Sequence, residues 1–237
     1  AALRARCADI GLQLSTGSAQ HKDKCELVLA GGPASTVDVG QFPADFKIIR
    51  DCNFELLGGP VGSPEFCNRH TQSRVSKALK ILQALGELPE PQVALRLLRH
   101  CASFGKMVFS IRAVPSSFHA EALRAFDAEV RACFEAFTCL HPDDEQWAQA
   151  CLPTGNGGLG LRSLAQHSHA AYLASRSQCL ELCQRIDPAH TFESGSGPGP
   201  IPERTAIASY NANVNADDIL GAELGGLSQK SLSKAVD

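Results

Sequence analysis

From Pro64 onward the chain has few glycines and prolines, and its apolar residues recur at three- and four-residue steps, the period of an amphipathic helix. This feature restricts the fold more than any other. Over 66–86, Val75, Ala78, Leu79, Leu82 and Leu85 share one side, while Arg74, Lys77, Lys80 and His70 fall on the opposite side. A second helix is predicted over 91–104, with Val93, Ala94, Leu97, Leu98 and Cys101 inward and Arg96 and Arg99 outward; Pro89 and Pro91 separate the two. A third spans 117–140. Leu123, Phe126, Val130, Phe134 and Phe137 form its stripe, and Glu121, Asp127, Glu129 and Glu135 cover much of the rest. Asp143 or Asp144 is expected to cap a short fourth helix running through Ala150. A fifth covers 163–185, after the loop LPTGNGGLGLRS at 152–163.

The first 64 residues have another texture. Residues 1–12 read as the end of a helix closed by Gly11, and 13–23 as a polar loop. Short strands are expected at 25–32 and within 46–59, stopped by glycine pairs. The predicted class is α+β, mostly α. ESGSGPGPIPE makes 191–203 a linker by composition, and 204–237 reads as a weakly patterned, weakly ordered tail. The chain starts without Met and already in helical rhythm, as a fragment would.

A chain of 237 residues can bury a real core. No apolar run reaches the roughly 18 residues that span a bilayer, so no membrane association is expected. The 10 cysteines are scattered without CxxC pairs. They read as reduced, small apolar residues of an intracellular protein, nuclear or cytoplasmic.

The net charge of -3 hides an uneven distribution. Between residues 66 and 112 stand Arg69, Arg74, Lys77, Lys80, Arg96, Arg99, Lys106 and Arg112, against Glu87 and Glu90. From 113 to 150 the sign reverses. A basic segment beside an acidic one points to an anionic partner on one face, with a solvated charged face as the bland alternative.

An ordered set of phrases carries a resemblance: GLQL (11–14), KCELVL (24–29), FELLGGPVGS (54–63), LPTGNGGLGLRS, and LSQKSLSKAVD at the end. Together they resemble the last palm elements and the thumb of reverse transcriptases of the non-LTR retrotransposon type. The resemblance implies a short β-hairpin palm remnant over 1–64 and a helical thumb and connection bundle over 65–190. It implies a primer–template duplex of RNA and DNA as partner, gripped for RNA-directed DNA synthesis, with the missing palm and fingers upstream in the same polyprotein. Leu57, Gly58 and Gly59 would form the primer grip. Arg69, Arg74, Lys77, Lys80, Arg96, Arg99 and Lys106 would meet phosphates, supplying sequence-independent affinity. Lys24 would stand near the incoming nucleotide as an accessory group. The family joins nucleotides with two Mg²⁺ about 3.5–4 Å apart, held by carboxylates. Those aspartates would precede residue 1, so no cofactor is expected in this chain, which would hold nucleic acid without extending it. Ser15, where the family has Asn, and the long loop before Lys24 depart from the pattern. The competing readings are a protein–protein interaction module using the acidic helix, and a non-functional remnant of an element.

Three other patterns are decoys. Asp217-Asp218 resembles the family's catalytic phrase, but it follows the thumb region and reads as a solvated turn or cap. Gly155, Gly157 and Gly160 match G-x-G-x-x-G without the preceding strand that dinucleotide binding requires. His167 and His169, two apart on a helix, diverge.

Overall fold

The computed structural model describes residues 2–11, 26–29, 38–40, 42, 46–190, 202–221 and 226–237. Lys24, the GLQL phrase after Gly11, the polar loop at 13–23 and most of the linker (191–201) lie outside the described residues. The chain divides into two units. The first comprises Ala1–Leu56 with Val61–Ser63, the second Leu57–Pro60 with Pro64–Asp237.

In the first unit, α1 (Ala2–Asp9) ends where Gly11 takes a left-handed φ of 75°. β1 (Glu26–Val28) and β2 (Lys47–Ile49) pair in parallel, Leu27 opposite Ile48. Leu29 and Ile49 are the buried side chains of this pair. A Lys47–Glu26 ion pair of 2.8 Å bridges the strands, and at its exposure contributes little. β3 (Phe54–Leu56) and β4 (Gly59–Val61) form a two-stranded hairpin through which the division between the units runs.

The second unit is helical: α2 (Pro64–Gly86), α3 (Pro91–Leu97), α4 (Phe104–Ala113), α5 (Ala120–Thr138), α6 (Asp144–Cys151), α7 (Leu164–Ile186), α8 (Pro202–Asn211) and α9 (Gln229–Val236). The protein is thus α+β and mostly α. Helix α2 packs along α5, and α7 takes α4 and α5 as well as α8 and α9 as neighbours. One core cluster joins Val75, Ala78 and Leu82 of α2 to Leu123, Phe126 and Val130 of α5 and to Leu164 of α7. Burying each of the Val, Leu and Phe side chains of this cluster stabilises the fold by about 1.5–3 kcal/mol. Asp143, not Asp144, is the α6 cap: its carboxylate accepts from Gln146 N at 2.9 Å, and Gln146 Oε1 accepts from Asp143 N in return.

Three expectations need correction. The segment 91–104 is not one helix. Helix α3 stops at Leu97 and a π-helical turn, Leu98–Ala102, follows, closed by Ser103 N donating to Leu98 O at 2.9 Å. Within α3 Ala94 is buried while Val93 and Leu97 are exposed; the wider turn, which starts with the buried Leu98, then shifts the phase so that Ala102 is buried and Cys101 exposed. Helix α4, which carries Lys106 and Arg112, is not expected from the sequence pattern. The residues after 203 are also not a weakly ordered tail: α8 and α9 pack on α7 and build a second cluster from Tyr172, Leu173, Ala206, Tyr210 and Leu232. Pro202 and Glu203, read as linker, start α8.

Candidate nucleic-acid interface

The buried stripe of α2 (Cys67, Thr71, Val75, Ala78, Leu82, Leu85) fixes where its cations point. At about 100° per residue, Arg69 and Lys80 fall opposite the stripe, Lys77 beside them and Arg74 at the stripe's edge. Accordingly Arg69, Lys77 and Lys80 are exposed and Arg74 is half-buried. The Arg74 guanidinium lies 5.8 Å from the centre of the Phe109 ring on α4, a cation–π contact. Met107, Ser110 and Ile111 turn α4 into the core, which leaves Phe109 44% exposed. Lys106 and Arg112 sit one turn to either side of it on the same helix. Lys106 is exposed, and Arg112 Nη2 donates to Gln178 Oε1 at 3.1 Å.

The turn joining β3 to β4 reaches the same place. Leu57 (φ 50°) and Gly58 (φ 82°) both adopt left-handed backbone, the geometry of a two-residue type I′ hairpin loop. A Cβ on Gly58 would stand 4.0 Å from Phe109 Cε1, in ordinary contact. Glycine suits its conformation; leucine at 57 does not, and its side chain is 92% exposed. Leu57→Asn should raise stability by about 1 kcal/mol in urea unfolding, because Asn tolerates left-handed backbone at this turn position. A loss of stability would show that Leu57 is held by packing.

Of the residues singled out in the sequence, the structure therefore gathers Leu57, Gly58, Arg74 and Lys106 around Phe109. Gly59 is buried beneath the turn. Arg96 is exposed on α3, and Arg99 is drawn instead against the loop at 152–163, where a Cβ on Gly160 would meet its Nε at 3.1 Å. Phe109 is the member of this surface that the sequence reading misses. Its signal is an aromatic residue three places from both Lys106 and Arg112, which counts only once a helix is placed there.

The acidic helix spends part of its charge internally. Asp127 accepts from Ser163 Oγ (2.7 Å), Leu164 N (2.8 Å) and Ala165 N (3.0 Å), so it caps α7. Burial raises its carboxyl above the ordinary range, against the lowering effect of those three bonds. Glu135 accepts from Arg131, which also holds Asp144 at 2.7 Å. Glu121 and Glu129 are exposed.

The thiols are set by burial as well: Cys133 and Cys151 are pushed up to about 11, which keeps them protonated and unreactive near neutral pH. His167 Nε2 lies 2.9 Å from Asp237 Oδ1, and His169 Nδ1 bonds to Ser116 Oγ. Asp217 and Asp218 are exposed in a short 3-10 turn. No three His, Cys, Asp or Glu side chains converge among the described residues. Among the described residues no helix is long and apolar enough to cross a membrane. No protein-family model, curated protein or solved structure matches this chain.

Proposed function

We propose that the helical unit holds a nucleic-acid duplex, as the thumb of a reverse-transcriptase-type polymerase, with the hairpin turn at 57–59 beside the primer end. One observation carries this reading. The turn, an exposed aromatic ring and the cations Arg74 and Lys106 come together on one surface, although they are distant in the chain. Phosphate neutralisation by the lysines and arginines supplies affinity that does not depend on sequence. A close-approaching glycine turn suits the end of a strand. In this reading the chain grips and positions the duplex and does not itself join nucleotides. The runner-up, a protein-binding face on α5, has less to work with, because Asp127 and Glu135 are already engaged.

The test is duplex binding as a function of salt. Replacing Arg74 and Lys77 together by Ala should weaken binding to an RNA–DNA duplex by about 10-fold or more at low salt. The log–log salt slope should also fall by about 2, close to one for each phosphate no longer neutralised. Unchanged affinity and slope in a variant with normal circular dichroism would remove the interface. Retention of a protein partner with no duplex retention would favour the acidic helix instead.

A further inference from the structure

The loop at 152–163, whose glycines do not make a dinucleotide site, forms one wall of a cleft of about 320 Å³. The opposite wall is the π-helical turn, which contributes Arg99 and His100, and the first residues of α4, Phe104 and Gly105. From the loop come Thr154, Gly160 and Arg162. We propose that this cleft binds a phosphate group.

Charge is the first argument. Two guanidinium groups and an imidazole line the cleft, and among the described residues no carboxylate does. Arg162 is balanced by Asp237, whose Oδ2 lies 2.6 Å from its Nη2. Arg99 and His100 have no ion-pair partner among the described residues. The cleft thus keeps positive charge that the protein does not neutralise.

Geometry is the second. Arg99 lies flat on Gly160: a Cβ there would be 3.1 Å from Nε and 3.4 Å from Cδ, and the glycine has a φ of +74°. Backbone conformation and close approach both call for glycine at 160. The arrangement holds the guanidinium at the cleft instead of leaving it to sweep through solvent. A planar fork fixed in this way matches two oxygens of a phosphate. Phe104, fixed edge-on against His167 with ring centres 5.8 Å apart, closes one side. The Thr154 hydroxyl adds a neutral donor beside the cations. The widened turn is what makes this possible, because Arg99 and His100 leave the phase of α3 within it.

The phosphate could be free or could belong to a nucleic acid, and the experiment separates these. The site does not depend on the duplex-holding surface, since inorganic phosphate alone should occupy it. The full chain is titrated with inorganic phosphate at constant ionic strength, set with chloride, while amide shifts are followed by NMR. Expected is saturable binding that moves the amides of Gly105 and Gly160. Arg99→Ala should weaken it by about 10-fold or more, the loss of one charge-assisted pair. Lys230→Ala, on the exposed side of α9, should leave it unchanged. A 5′-phosphorylated oligonucleotide that binds more tightly than its 5′-hydroxyl counterpart, with the difference lost in Arg99→Ala, identifies a nucleic-acid phosphate as the occupant. Equal binding of the two beside saturation by inorganic phosphate identifies a free one. If Arg99→Ala does not fold, His100→Ala is read in its place. No saturation up to tens of millimolar, or saturation indifferent to these substitutions, overturns the site.

Discussion

Acidification from pH 6.5 towards pH 4 should remove about 3 kcal/mol of folding stability through His119 alone. This side chain is fully buried at the start of α5. Its Nδ1 is 2.9 Å from Thr71 Oγ1, whose own hydrogen goes to Cys67 O at 3.1 Å. Nδ1 therefore carries the ring proton and donates it to Thr71. Nε2 is buried and has no hydrogen-bond partner among the described residues. A second proton would create a charged N–H with no acceptor inside an apolar core, so burial lowers the pKa from 6.5 to about 4. The unfolded chain takes up the proton first. Stability is complete above pH 6.5, falls as pH drops through the window to about 4, and is flat in this component below it. His167 and His169 are also pushed down by burial and act in the same direction. Urea midpoints across this range give the measurement. His119→Gln should be less stable at neutral pH and show a shallower pH slope; an unaltered slope would assign the acid sensitivity elsewhere.

The second large effect concerns the C-terminal helices. Tyr210→Ala should cost about 3–4 kcal/mol, as expected for truncating a buried aromatic side chain. Tyr210 is 2% exposed, sits in the cluster with Tyr172, Leu173 and Leu232, and its hydroxyl donates to Leu232 O at 3.5 Å. If α8 were an appendage, the substitution would leave the thermal midpoint where it is. A lowered midpoint together with exposure of the Tyr172 ring to solvent would establish that α8 and α9 belong to the cooperative unit.

Why this part was illegible in the sequence is a matter of side-chain size. In α2 and α5 large apolar residues alternate with charges, so the period is plain in Val75, Leu82, Phe126 and Phe137. In α8 and α9 the buried positions include Ala206, Glu203 and Ser233, which carry little contrast. Glu203 is accommodated only because Tyr172 donates to it at 3.2 Å and Arg176 pairs with it at 3.0 Å, interactions between distant parts of the chain. Helix α4 is hidden for the opposite reason: Phe109 and Val108 add apolar residues on sides that do not face the core, blurring the stripe of Met107 and Ile111. The π-helical turn conceals itself further, since a single widened turn shifts the phase that periodicity relies on. At the candidate interface, the basic residues and the glycine turn are readable one by one. Their meeting at Phe109 is not, nor is the departure of Arg99 towards Gly160, because both are set by tertiary packing.

Helix α7 touches neighbours on several sides and presents them with small or polar buried residues: Ser168, Ala170, Ala171, Ala174 and Ser177. It serves as an axle between the α2–α5 layer and the C-terminal pair, and Asp237 clamps the end of α9 to its first turns through His167 and to the loop before it through Arg162. Attachment of α8 and α9 then rests on surface complementarity instead of on chain continuity. Two separately expressed pieces, divided between positions 190 and 202, should find each other and refold into the native arrangement, making this protein a candidate for fragment complementation.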